Sequence, residues 1–190
     1  MKMITAVTMG SMLTFASLFG ADFTVDKSHT NLGFKVRHMM VSNTQGKFDD
    51  FSGIFSYDPK TRQLTALDGK VKVASVNTDE AKRDEHLRSP DFFDAKKYPA
   101  MTMTFVKQDG NKVTVALRIK DITKNVVLAM DDASDAIKDP WGNTRVGFAL
   151  EGKINRQEFN ITFSKLIETG GVVVGDDVKL QLEIEGIQAK

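Results

Sequence analysis

A chain of 190 residues that is 41% apolar and has no cysteine can build one domain's core without cross-links, and it excludes disulfides, thiolate metal sites and cysteine nucleophiles. Its 26 basic and 25 acidic residues leave a formal charge of +1, which excludes the basic balance of a nucleic-acid binder and the apolar-poor composition of a disordered tail. The 13 Phe and 9 Met say more, because such side chains fill cores and line greasy cavities.

In chain order, Met1 to Gly20 comes first, with a single charge at Lys2 and an apolar run from Ile4 through Phe19. A positive tip, an apolar stretch and small residues make this a secretory signal peptide over residues 1–20, cut near Gly20 and Ala21. Its removal takes away one lysine and leaves 25 basic against 25 acidic residues. No later stretch approaches the roughly 18 apolar residues that span a bilayer, so the mature chain is expected to be released.

From residue 21 onward, apolar residues recur at every second position, the mark of strands with one buried face. The runs are Leu32, Phe34, Val36; Phe51, Phe55, Tyr57; Val71, Val73; Met101, Met103, Phe105; Val113, Val115, Leu117, Ile119; Val126, Leu128, Met130; Val146, Phe148, Leu150; and Val178, Leu180, Leu182, Ile184. Turn chemistry separates them: Asp58-Pro59, Asp109-Gly110, Asp139-Pro140 with Trp141-Gly142, and Gly170-Gly171. Short turns pair neighbours antiparallel, and about eight strands with one apolar face each must form a sandwich or close into a barrel.

Residues 75–99 break the alternation with charges at every turn. Asn77 is the expected N-cap of a short helix with Asp79 and Glu80 in its first turn, and Ser89-Pro90 the start of a second turn. Tyr98 before Pro99 returns the chain to extended geometry. The segment reads as a helical connection across one end of the structure.

Catalytic and metal motifs are absent from the sequence. His29 and His38 are nine residues apart, an odd spacing that points them to opposite faces of an unbroken strand, and His86 stands alone in the connection. Met101 and Met103 share a face but read as core fillers rather than copper ligands. No nucleophile elbow, phosphate loop or dinucleotide-binding turn occurs. No metal, cofactor, catalytic residue or nucleic-acid partner is expected. Asn160-Ile161-Thr162 fits a glycosylation acceptor, a triplet that also arises by chance.

Five strings are more particular: Asp26-Lys27-Ser28-His29-Thr30 with Leu32 to His38; Val71 to Thr78; Arg83-Asp84-Glu85-His86-Leu87 with Ser89-Pro90-Asp91-Phe92-Phe93-Asp94 and Tyr98-Pro99; Gly152 to Phe159; and Gly175-Asp176-Asp177-Val178. Together they resemble the YceI-like family of lipid- and polyisoprenoid-binding proteins. The resemblance implies an all-β, lipocalin-like antiparallel eight-stranded β-barrel with a short helical connection over residues 21–190. It further implies a periplasmic location, frequent dimers and a long isoprenoid or fatty chain held inside. The family usually carries Gly after the Phe of an R-x-D-F motif, where this chain has Glu158-Phe159-Asn160. Asn is the next residue most tolerant of left-handed backbone, so the turn is expected to survive.

On this reading the lining comprises Phe34, Val36, Phe55, Tyr57, Met103, Phe105, Val115, Leu117, Leu128, Phe148, Leu180 and Leu182. Arg83 and His86, on one face of the helical connection, and His38, in the inward register, are candidates to meet a polar head group. The alternative for Arg83 is a structural ion pair that ties the connection to the barrel. Two further functions stay open: an enzyme acting on an isoprenoid or quinone through His38 or His86, and a structural barrel filled by its own side chains.

Overall fold

The computed structural model describes residues 20–166 and 173–189. The signal-peptide expectation and the Gly170-Gly171 turn therefore lie outside the described residues. Strands β1 (Ala21–Val25) and β2 (Asn31–His38) form one strand position interrupted at residues 26–30. They are followed by β3 (Ser42–Phe48) with β4 (Phe51–Asp58), and by β5 (Gln63–Lys72) with β6 (Val76–Asn77), the latter two divided by a 3-10 turn at Val73–Ser75. A helix α1 (Ala81–Arg88) leads to β7 (Ala100–Asp109), β8 (Lys112–Ile119), β9 (Ile122–Asp131), the two-residue β10 (Ile137–Lys138), β11 (Thr144–Asn155) and β12 (Val174–Gln188).

Every pairing is antiparallel, and eight strands close a ring in the order β1, β4, β5, β7, β8, β9, β11, β12. Strand β12 seals it, pairing with β11 along one side and with both β1 and β2 along the other. Closure gives each of the eight ring strands a neighbour on both sides, which is how an all-antiparallel sheet of this size limits edge pairing. The alternating apolar residues all fall on strands and face inward, except Val73, which begins the 3-10 turn.

Two strands escape an apolar alternation. The inward positions of β3 include Gly46, where a Cβ would stand 2.5 Å from the Phe34 ring. That glycine is required by a neighbour's bulk, so the strand carries no periodic signal. In the sequence, β1 follows directly on the apolar run of residues 4–19, and its alternation of Ala21, Phe23 and Val25 merges with it.

The connection is built differently from the expectation. Glu80, not Asn77, caps α1, accepting from the backbone N–H groups of Lys82 and Arg83, while Asn77 lies in β6 and its side chain accepts from Asp79 N–H. Residues 89–98 form successive turns, beginning at Ser89-Pro90 as expected. Helix α1 buries only Asp84 and is fastened by polar bonds. Asp84 accepts from the backbone N–H and hydroxyl of Thr78, Arg83 donates to the hydroxyl and carbonyl of Thr78, and Arg88 donates to the carbonyls of Ala74 and Val76. At the 3-10 turn after β11, Asn160 adopts the left-handed conformation expected of it, with φ 55°.

Candidate functional site

The barrel interior divides into a packed half and a hollow half. In the packed half Phe23 stacks on Phe55 with ring centroids 5.4 Å apart, Phe55 meets Phe148 edge-on at 5.1 Å, and Tyr57 lies on Phe148 at 5.9 Å. The Tyr57 hydroxyl donates to the Ser134 carbonyl, and burial pushes its pKa up. Leu64, Val113, Val115 and Leu128 complete this plug with no exposed surface to speak of.

Above it lies a cavity of about 200 Å³, lined by Phe34, Phe48, Leu67, Met101, Leu117, Leu180 and their neighbours. Four residues in register border the hollow, Gly53, Gly69, Met103 and Leu117. The first two have no side chain. A Cβ at Gly53 would already stand 3.1 Å from Val25 and from the Asp68 carbonyl, whereas one at Gly69 would meet nothing nearer than the Met103 carbonyl at 3.7 Å, so the spare room lies at Gly69. Along β12 the lining runs from Val174 to Ile184, roughly 30 Å of strand at about 3.3 Å per residue.

Of the sequence-derived lining, Phe34, Val36, Met103, Leu117, Leu180 and Leu182 border the cavity. Phe55, Tyr57, Val115, Leu128 and Phe148 belong to the plug, and Phe105 packs partly buried beside it. Period-two alternation assigns all of them one face and does not distinguish filled from hollow. The missed lining includes Gly53 and Gly69, and a glycine at an inward position among bulky residues is the signal that could have found them.

The cap end is closed by Leu87, Phe92 and Phe93 from the connection and by Ile161. The three head-group candidates lie outside that lining. Arg83 is engaged with Thr78. His86 pairs with Asp91 at 3.0 Å and packs edge-on against Phe92 and Phe163. His38 sits partly buried near the tip of the β2–β3 hairpin, in register with Val174.

Arg156 is the charged side chain that the sequence reading passed over. It is buried at the cavity border and donates to the carbonyls of Gly175, Val174 and Ile161 and to Asp176. Burial pulls its guanidinium below the ordinary arginine range, and Asp176 opposes that shift. Four of its five N–H donors are thus spent on the protein.

One gap in the ladder borders the cavity along the first long hairpin. Between the pairs Thr24–Ile54 and Gly33–Lys47 the first long hairpin is unpaired, with cavity residues Val25, Thr30 and Leu32 on one bank and Phe48, Phe51 and Gly53 on the other. Among the described residues one side-chain bond crosses it, from Lys27 Nζ to Asp50 at 3.1 Å.

The YceI-like domain profile matches residues 23–186. The chain belongs to the YceI-like family. Its curated relatives include Protein YceI of Escherichia coli O157:H7, 36% identical over 191 residues that cover 94% of this chain and 96% of the relative. Among solved structures, a Campylobacter jejuni YceI protein superposes with a TM-score of 0.69 at 38% identity, covering 87% of this chain and 96% of that one. A polyisoprenoid-binding domain from Saccharophagus degradans shares the fold alone, with a TM-score of 0.65 at 15% identity over 88% of this chain and 98% of its own.

The interruption in this YceI-like barrel at residues 26–30 is pinned by a second polar centre. Arg145 Nη1 donates to Asp26 and Glu185 at 2.6 Å each, and its Nε to Asp139 at 2.7 Å. The Ser28 hydroxyl, then Arg145 and His29, hold the Asp26 carboxyl well below the usual carboxylate range, and Arg145 does the same for Asp139. Asp26, His29 and Glu185 are close enough to converge on a cation. The guanidinium already occupies that role, so the cluster is structural.

Proposed function

We propose that the protein is a carrier that holds one long, weakly polar amphiphile, a polyisoprenoid, an isoprenoid quinone or a fatty acid or amide, with its chain in the barrel cavity. The observation that carries this reading is the hydrocarbon-lined hollow, with its spare room at Gly69, above an aromatic plug. Each methylene moved there from water contributes about 0.8 kcal/mol, so ten contribute roughly 8 kcal/mol before ordering and association costs. The family and the fold shared with a polyisoprenoid-binding domain are consistent with it. Binding rather than catalysis is favoured because neither His38 nor His86 borders the hollow. A wholly filled structural barrel is disfavoured because the packing stops at the plug. We further propose that residues 1–20 direct export to the periplasm, where such a carrier would shuttle or store its ligand.

Native mass spectrometry of mature protein freshly purified from its own host tests the reading. A co-purifying lipid released by organic solvent is the expected result. Repeated absence of any adduct would overturn it, and a bound lipid converted over time would favour the enzyme.

A further inference from the structure

The β2–β3 hairpin ends in a turn whose chemistry contradicts its geometry. Val41 N–H donates to the His38 carbonyl, and the two residues between them, Met39 and Met40, have φ of 48° and 61°. The loop between the paired His38 and Ser42 is three residues long, and both central positions of its β-turn are left-handed, the conformation that favours Asn and Gly. Among the described residues eight non-glycine positions have positive φ, and these two are the apolar ones. The strain returns little burial: Met39 is 40% and Met40 56% exposed, and Val41 beside them 77%. Local backbone strain that serves neither turn preference nor packing points to a function.

The surroundings indicate what that function is. Met39 N–H donates to the Val173 carbonyl and Val173 N–H to the Lys165 carbonyl, so the backbone of Lys165 and the exposed Leu166 come next to the tip, with the Lys165 ammonium 5.9 Å over the Phe163 ring. Arg37, exposed, donates to the Met40 carbonyl. Among the described residues neither Arg37 nor Lys165 is paired with a carboxylate. One step behind the tip, Val36 and Val174 already line the cavity. An apolar point flanked by two cations, continuous with a hydrocarbon-lined hollow, complements a bilayer surface: thioethers for the acyl region, a guanidinium and an ammonium for lipid phosphates.

We propose that the Met39-Met40-Val41 tip docks the protein on an anionic lipid bilayer, where cargo is exchanged. The proposal rests on the carrier reading for its purpose but is read independently of it.

The test is co-sedimentation with vesicles of phosphatidylethanolamine and phosphatidylglycerol. Met39→Asn with Met40→Gly installs the residues the turn prefers, so it is expected to melt at the same or a higher temperature while vesicle affinity falls on the order of tenfold or more. The emission of Met40→Trp in a Trp141→Phe background is expected to blue-shift on vesicles and to be quenched by bromolipid. Trp141→Ala, at the other end of the barrel, is expected to leave affinity unchanged. Vesicle binding by the Asn-Gly variant equal to wild type, an unshifted emission from the Met40→Trp variant, or loss of self-association instead of vesicle binding overturns the proposal. Dansyl-undecanoic acid titrated without vesicles separates the two claims: if wild type fails to bind it, the carrier reading fails while the vesicle result still decides the tip.

Discussion

Filling the hollow with the protein's own side chain should stabilise the fold and weaken binding at once. Gly69 faces the cavity in register with Gly53 and Met103, its backbone is extended, and a Cβ there has open space around it. Gly69→Leu adds four carbons. If buried, they contribute about 3 kcal/mol gross at about 0.8 kcal/mol each, and relief of glycine's backbone entropy adds roughly 0.5 kcal/mol. After rotamer ordering and imperfect fit, a net gain of about 1–2 kcal/mol raises the melting temperature of ligand-free protein by roughly 2–6 °C. The same carbons occupy positions of about four ligand methylenes, which removes about 3 kcal/mol of binding, on the order of a hundredfold in affinity. Calorimetry and fluorescence titration with dansyl-undecanoic acid measure the two quantities on one sample. A stabilised variant that binds the probe as tightly as wild type would refute the assignment of the chain to this hollow. A destabilised variant would refute the claim that Gly69 faces open space.

Gly186→Ala is the opposite case: its Cβ would lie 2.5 Å from the Phe55 ring, and overpacking of the plug should cost about 1–3 kcal/mol in urea unfolding. Arg156→Met strands three backbone carbonyls that the guanidinium satisfies, and the loss of about 3 kcal/mol should not be restored by Arg156→Lys, whose single ammonium cannot span them. Arg83→Ala should lower the melting temperature, through the lost bonds to Thr78, and leave the dissociation constant for dansyl-undecanoic acid unchanged; weakened binding in a protein of wild-type stability would restore the head-group role. The Arg145 centre should appear in the pH dependence of stability. Asp26 and Asp139 titrate below their unfolded values, so their contribution is complete above about pH 4 and is lost as pH falls through the lower folded values. The stability difference between wild type and Arg145→Met, measured by urea unfolding, is therefore expected to be constant near neutrality and to shrink in acid.

Much of the barrel is legible because its physics is local. Val113 to Ile119 and Val178 to Ile184 alternate because each strand has one wet and one dry face, and Gly110 takes the positive φ that the Asp109-Gly110 turn demands. The left-handed Asn160 follows from backbone tolerance alone. What stays hidden depends on what lies across the barrel. Phe34 and Phe55 occupy equivalent places in the alternation, yet one borders empty space and the other meets Phe23 and Phe148. The residue that caps α1 is hidden for a related reason: Asn77 is drawn into pairing with Lys47 on β3, which leaves Glu80 to satisfy the helix N-terminus. Arg145, Asp26 and Glu185 meet over separations no local pattern records.

The division of the interior also explains how a barrel can keep a hollow. A void of about 200 Å³ forfeits packing worth on the order of 5 kcal/mol at roughly 24 cal/mol per Å³, comparable to the whole net stability of many domains. A barrel hollow throughout its length would forfeit more than closure returns. Confining the void to one half, over a floor of four interlocked aromatic rings, limits the loss and leaves the wall stiff enough not to collapse. It also floors the cavity at one end, so on the carrier reading a chain would enter from the cap side or through the unpaired hairpin gap, and the floor would limit its length. Gly69, which leaves room in the cavity, and the rings that floor it are thus two parts of one constraint: the space open to a carried chain ends where the aromatic plug begins.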